Sequence, residues 1–321
     1  MYDQDILVSI VCATYNHEKY IRTALDSFLS QNTDFCYEVL VHDDASTDNT
    51  ADILREYEKK YPEIIKPIYQ TENQYSKGVR ISLDILVPKA RGKYIAFCEG
   101  DDFWVSTEKL QKQADYMESH PNCSLCICNA HICDINGRFY DSITPVKESA
   151  IIPPETVITG GGGFCATSSI FTRTELLRHL PPYFSILSID LVLQMYLASC
   201  GETYCFSEKM TAYRCGVSNS WSDRMAESPE KYLVHLQKAI DVRVAFNEYS
   251  NHKYDKAVQL MILQVEFEML YIKEDFAALS SKRFRPVYQL IGYRKRLLVF
   301  VRRHMPFVYT LHQKVRYFRS H

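Results

Sequence analysis

The chain has 321 residues, 46% of them hydrophobic, and a net charge of −2. That allows one large domain of about 220 residues and a smaller addition. The longest apolar run near the C-terminus, Leu297 to Val301, is far too short to span a bilayer. Met1-Tyr2-Asp3-Gln4-Asp5 is acidic and leads straight into strand-like sequence, so no secretory leader is expected. Without one, eleven cysteines, an odd number, read as the reduced thiols of a cytosolic protein.

Ile6 to Thr14 (ILVSIVCAT) is a near-continuous apolar run, the pattern of a strand covered on both faces. Tyr15-Asn16-His17 ends it. Tyr20, Ile21, Ala24, Leu25, Phe28 and Leu29 then recur at helical spacing. Val39 to Val41 is the core of a second strand that runs into His42-Asp43-Asp44-Ala45-Ser46-Thr47-Asp48. Ser46 or Asp48 suits the N-cap of the next helix, which turns Ile53, Leu54 and Tyr57 inward. Ile64 to Tyr69 reads as a third strand, followed by a loop from Thr71 to Gly78 and a helix from about Arg80 to Ala90. Strand and helix alternating over short links is the rhythm of a parallel doubly wound sheet.

The next strand, Tyr94 to Cys98, breaks within one residue into Glu99-Gly100-Asp101-Asp102. Carboxylates left unpaired in a core would cost several kcal/mol each, so this turn belongs at the carboxyl end of its strand. That rim is where open α/β sheets bind ligands, and hard oxygen donors there suit Mg²⁺ or Mn²⁺. A plain acidic turn capping the following helix is the bland alternative for an isolated pair. Beyond it, Ser106 or Thr107 caps a helix bearing Leu110, Ala114 and Met117, and Leu125 to Ile132 is another buried strand. The stretch from Asn136 to Gly163 is polar, contains prolines and ends in four glycines, which predicts a long loop across one face of the site. Ser168 to Thr172 is a short strand, and Ser188-Ile189-Asp190 opens a helix. Tyr204 to Phe206 and Met210 to Tyr213 read as strands of a smaller sheet. From about Ser228 the pattern is helical.

Two strands ending in Asp-Asp, at 43–44 and 101–102, put several carboxylates on one sheet edge. One pair can hold base or ribose hydroxyls and the other a divalent ion on a diphosphate. No GxGxxG fingerprint follows the first strand and no Walker lysine motif is present, so a nucleotide-diphosphate donor fits better than a dinucleotide or a P-loop.

Four ordered segments carry a resemblance: VSIVCATYNHEKYI, EVLVHDDASTDNT, GKYIAFCEGDDFW with Lys109-Leu110, and SIDLVL…MTAYR. Over roughly residues 6–220 the chain resembles glycosyltransferase family 2. The resemblance implies a GT-A fold: a doubly wound, mostly parallel central sheet with a smaller second sheet, here with a helical C-terminal extension. It implies an inverting transferase that uses a nucleotide sugar, with UDP the expected nucleotide, and Mn²⁺ or Mg²⁺. By the same resemblance Ala13, Tyr15 and Asp44 lie around the nucleobase, Asp101 near the ribose, and Asp102 on the metal. Asp190 is then the acceptor-activating base, the single carboxylate that inverting transfer requires; an N-cap is its bland role. The expected organisation is a GT-A domain over 1–225, with a nucleotide-binding half at 1–122 and an acceptor-side half at 123–225, and a helical region over 226–321. The expected acceptor is a glycan or lipid-linked glycan in surface-polysaccharide synthesis. The rivals are a sugar nucleotidyltransferase, for which Tyr15-Asn16-His17 lacks the glycine-rich basic loop, and a nucleotide-sugar-binding protein without turnover.

Cys123, Cys126, Cys128 and Cys133 with His131 match no common zinc spacing and read as core. Residues 281–321 hold 11 Lys and Arg and no acid, leaving 26 basic against 39 acidic residues elsewhere. Arg294-Lys295-Arg296, Arg302-Arg303 and Lys314, Arg316 and Arg319 alternate with aromatic and aliphatic residues. That pattern suits an anionic membrane surface, or a solvated helical face packed on the main domain or on a second copy, and no nucleic-acid module accompanies it. The sequence leaves oligomeric state open.

Overall fold

The computed structural model describes residues 6–187, 189–217 and 228–304, and of Ile189 and Lys295 only the backbone. The chain divides into two compact units, Met1–Ser220 and Trp221–His321. In the first unit the apolar runs become the central strands. β1 (Ile6–Thr14) lies between β2 (Cys36–Asp43) and β4 (Tyr94–Phe97), parallel to both, and β3 (Ile65–Tyr69) extends the parallel set on the far side of β2. All four residues of β4 are buried, as a strand apolar on both faces requires. α1 (Ile21–Leu29) buries Ile21, Ala24, Leu25 and Phe28, and α2 (Thr50–Lys60) buries Ile53, Leu54 and Tyr57. These are the faces their spacing predicts. The Asp48 carboxylate accepts the Thr50 N–H at 2.9 Å and so ties down the start of α2.

Past β4 the sheet turns mixed. β9 (Phe171–Arg173) runs antiparallel between β4 and β6 (Cys123–Cys133), and β6 pairs in parallel with the long β10 (Glu202–Arg214). β5 (Phe103–Trp104) closes the edge against β10; β7 (Phe139–Ile143) pairs with β6 and β8 (Ala150–Ile152) with β10. Among the described residues this makes one ten-stranded sheet. α3 (Lys109–Ser119), α4 (Pro154–Gly160), α5 (Thr174–Arg178) and α6 (Ile189–Cys200) complete the unit.

Three expectations change. The strands assigned to a smaller sheet are one strand, β10, continuous with the main sheet. The polar Ser207-Glu208-Lys209 break is absorbed by register shifts between Phe206 and Thr211. The expected loop over 136–163 contains β7, β8 and α4. β7 is a largely exposed edge strand, so it needs no apolar alternation, and Pro154 sits in the first turn of α4, where its missing N–H costs nothing. The helix over 80–90 is a π-helical turn, Ile81–Leu86, followed by a 3-10 turn, Val87–Lys89. Pro88 has no N–H to return to the preceding turn, which ends regular α geometry there.

Lys109, wholly buried, donates to Gln113 Oε1 at 2.8 Å and sits 4.2 Å from the Trp104 ring centroid. Gln113 in turn donates to the Cys126 and Ser169 carbonyls. All eleven cysteines are free.

The second unit is helical: α7 (Pro229–Tyr249), α8 (Asp255–Ile272), α9 (Phe276–Leu279), α10 (Arg285–Leu290) and α11 (Tyr293–His304). Phe267, Leu279, Phe284, Val287 and Val299 form a small core there. The part of the basic tail beyond His304, with Lys314, Arg316 and Arg319, lies outside the described residues. Among those described, no helix is long and apolar enough to cross a membrane.

Candidate active site

The carboxyl ends of β1, β2 and β4 meet at one rim because the three strands are parallel neighbours. The loops leaving β1 and β2 interlock. Asn16 and Ala45 take left-handed backbone, with φ of 56° and 61°. This lets the Asn16 N–H reach Ser46 Oγ at 2.9 Å while Asn16 Oδ1 accepts the Thr47 N–H at 2.8 Å. His17 N–H reaches Thr50 Oγ1 at 2.9 Å, and Glu18 N–H reaches Asp48 Oδ2 at 3.0 Å. Tyr15 projects from this platform and is 42% exposed.

Asp44 follows β2 and is buried. Its Oδ1 accepts the Gln74 N–H at 2.7 Å and its Oδ2 the Tyr75 N–H at 3.0 Å, so it anchors the loop after β3. Asp43 beside it keeps one carboxylate oxygen without a partner, and burial raises its pKa.

The turn after β4 is fastened to β1 by the Gly100 N–H on the Ala13 carbonyl, at 2.9 Å. Gly100 is there because nothing larger fits: a Cβ would stand 2.8 Å from Thr14 and 3.0 Å from His17 Nδ1. Asp101 lies 3.9 Å from His17 Nε2. Asp102 is buried; Oδ1 accepts the Arg214 N–H at 2.8 Å, and Oδ2 has no hydrogen-bond partner. Burial and the Asp101 charge push its carboxyl well above the usual range, against the pull of the Arg214 N–H, the Ser168 hydroxyl and the Arg214 charge. The Arg214 side chain holds the turn from below. Nε donates to the Asp101 carbonyl at 2.8 Å, Nη1 to the Asp134 and Ile135 carbonyls, and the guanidinium lies 4.8 Å from the Tyr20 ring and 5.2 Å from Phe103.

Asp190 lies in the first turn of α6. The residue is open to solvent, yet desolvation of its carboxyl raises the pKa, opposed by a hydrogen bond with Thr167. Glu99 lies close enough to feel it: burial, then the Asp190 charge, then Asp101 and Asp102, lift the Glu99 carboxyl well above its ordinary value. The glycine run packs at the same helix start, with Gln194 donating to the Gly162 carbonyl at 3.0 Å.

Ala13, Asp101 and Asp102 thus meet through one hydrogen bond, Asp44 stands on the next strand, and Asp190 reaches the cluster through Glu99. Sequence reasoning missed Glu99 and Arg214 as individuals, although both lie inside the quoted segments. What marks them is tertiary placement, Arg214 buried against Asp102 and Glu99 within the field of Asp190, which spacing does not report. Among the described residues no three His, Cys, Asp or Glu side chains converge as a metal cage.

The family model described as glycosyl transferase family 2 matches residues 9–179. The chain belongs to that family. It is 34% identical over 218 residues, 67% of its length, to an uncharacterised protein of Mycobacterium tuberculosis, of which it spans 60%. It is 38% identical over 143 residues to a putative teichuronic acid biosynthesis glycosyltransferase, TuaG, of Bacillus subtilis, covering 44% of this chain and 54% of that one. Over 113 residues it is 38% identical to the Escherichia coli UDP-Glc:α-D-GlcNAc-diphosphoundecaprenol β-1,3-glucosyltransferase WfaP, covering 35% and 42%. The chain therefore spans about 60% of the length of its leading relatives. Among solved structures it is similar to S. aureus TarS with UDP-GlcNAc (TM-score 0.59, 19% identity, 91% of this chain and 78% of that one). The Pyrobaculum calidifontis mannosyltransferase with GDP-Man and Mn²⁺ gives TM-score 0.58 at 15% identity, over 96% and 83%. The fold is that of these GT-A enzymes, and residues 9–179 carry the family's domain.

Proposed function

We propose that this chain is a glycosyltransferase that takes a sugar from a nucleoside diphosphate, UDP by preference, and passes it with inversion to a hydroxyl of a glycan or lipid-linked glycan in surface-polysaccharide synthesis. The observation that carries the reading is the buried Asp102 oxygen without a partner, at the end of β4 and beside Asp101. An orphaned carboxylate oxygen at a ligand-binding rim is a place for a divalent cation whose other ligands come from the substrate phosphates. Held there, Mn²⁺ or Mg²⁺ would neutralise charge on the leaving diphosphate. Asp44, Ala13 and Tyr15 take the nucleobase side and Asp101 the ribose. Gln74 and Tyr75 use one acceptor position on each Asp44 oxygen, which leaves capacity for a base N–H. Asp190 takes the proton from the acceptor hydroxyl.

The nucleotide sugars bound by TarS and the mannosyltransferase support the donor class, and the Mn²⁺ of the latter supports the cation. The names of TuaG and WfaP support a surface glycan, with WfaP favouring an acceptor on a lipid diphosphate. Such an acceptor would bring the enzyme to the cytoplasmic face of the cell membrane.

The test pairs binding with single-turnover transfer. Asp102→Ala should abolish the Mn²⁺-dependent tightening of UDP binding in calorimetry. Asp190→Asn should bind UDP and Mn²⁺ normally and transfer at least about a hundredfold more slowly, the lower end for loss of a general base. Transfer by Asp190→Asn at near wild-type rate would remove it from the mechanism.

A further inference from the structure

α11 carries an apolar stripe that the second unit does not use. Tyr293, Leu297 and Phe300, spaced by four and three residues, share one face and are 75%, 46% and 56% exposed. Arg294 borders the stripe on one side, Arg296 and Arg303 on the other, and all three are exposed. The opposite face is spent inward. Val299 is 2% exposed in the small core. Arg302 lies 4.9 Å from the Tyr271 ring, 5.6 Å from Phe276 and 3.8 Å from Glu274. The sequence counts Arg302 among the tail's available cations, and the fold removes it. Arg296 is held in place by bonds to the Ile291 and Gln289 carbonyls. With Arg303, Tyr288, Tyr293 and Phe300 it lines a groove of about 470 Å³.

We infer that this face of α11 docks on an anionic phospholipid bilayer, the apolar stripe lying among the acyl chains and the flanking arginines on lipid phosphates. An apolar strip bordered by cations is the geometry of a helix lying in the interfacial plane. Charge argues against a protein partner of the same kind. Residues 281–321 contain no Asp or Glu, so a second copy on an isologous face would set Arg294, Arg296 and Arg303 against their like with no acid of this segment to pair them. Residues 305–321, also basic and without acids, meet the same objection as a cover. The inference rests on the proposed function only for its purpose, bringing the enzyme to a lipid-linked acceptor; docking itself needs no turnover.

The experiment is co-sedimentation of the full chain with phosphatidylcholine vesicles, with and without phosphatidylglycerol. Wild type should bind the anionic vesicles, less so as salt rises. Leu297→Glu with Phe300→Glu should abolish binding. Arg294→Gln with Arg303→Gln should weaken it about thirtyfold, from about fivefold per cation. Lys59→Gln with Lys60→Gln, equal in charge but in α2, should change nothing. Mn²⁺-dependent UDP binding should survive in all of them, so failure of the transferase reading and failure of docking are told apart. The inference is overturned if wild type ignores anionic vesicles at low salt, or if the Leu297/Phe300 variant binds them equally well. It is also overturned if that variant turns a dimer into a monomer by light scattering or lowers the melting temperature, since the face would then be covered by protein.

Discussion

Asp102 shows how a single residue trades stability for a site. Its folded-state pKa lies above its unfolded value because of burial and the Asp101 charge. A group shifted upward contributes stability that is fully present below the unfolded pKa and is lost as pH rises through the folded one. Without added metal, the wild-type chain should therefore lose stability through this residue as pH rises above about 4. Asp102→Asn removes that slope. In metal-free buffer the variant should melt above wild type at pH 7, with the gap closing toward pH 4. Thermal denaturation across that range checks it, and a wild type that melts higher at every pH would contradict it. Asp190 has a raised pKa for the same first reason, desolvation. The proposed base must be ionised to act, so the acid limb of kcat/KM should lie above the ordinary carboxylate range and should not appear in the residual rate of Asp190→Asn.

At the scale of elements, a polar network staples the strands that build the rim. Glu38 of β2 is buried; its Oε1 accepts Ser9 Oγ at 2.7 Å and the Arg91 N–H at 2.9 Å, and its Oε2 accepts Arg91 Nε at 2.9 Å. Ser9 Oγ then accepts the Gly92 N–H at 2.9 Å. Gly92 must be glycine, since a Cβ there would meet the Ser9 nitrogen at 2.5 Å. This knot sits at the far end of the strands from the acidic turn. Glu38→Ala leaves the buried Ser9 hydroxyl without its acceptor and should cost about 1–3 kcal/mol in denaturant unfolding. UDP affinity measured on the folded variant should stay within about twofold, that is within about 0.4 kcal/mol. A large loss of affinity with unchanged stability would mean that the knot serves the site directly.

At the scale of the molecule, the residues proposed for the donor site, Ala13, Tyr15, Asp44, Asp101 and Asp102, all belong to the first unit. UDP with Mn²⁺ at about a hundred times its dissociation constant should stabilise the folded state by about 2.7 kcal/mol. The same shift should be absent from Asp102→Ala. Nucleotide without metal should give a smaller shift in wild type. Equal shifts with and without Mn²⁺ would separate the cation from the donor.

The parallel half of the sheet was legible in the residues because Ile6 to Thr14 and Tyr94 to Phe97 are apolar without interruption, and only a strand covered on both faces buries such a run. The acidic turn was legible for the converse reason, that Glu99, Asp101 and Asp102 had to end the apolar run at its rim, although the fold then buries Asp102 there. What followed β6 was misjudged where local polarity and tertiary pairing disagree. Ser207-Glu208-Lys209 looks like the end of a strand, and β10 carries it as a bulge because β6 supplies a partner on either side of it. β7 has no apolar alternation because it is an exposed edge. The sequence by itself settled which side chains are acidic, which runs must be buried and in what order they come. Only the fold decided that Arg214, more than a hundred residues after Asp102, gives it a backbone N–H, that Glu99 shares a field with Asp190, and that Arg302 turns inward while Arg294 and Arg303 face out. Those facts depend on distances between residues remote along the chain, and no local pattern carries such distances.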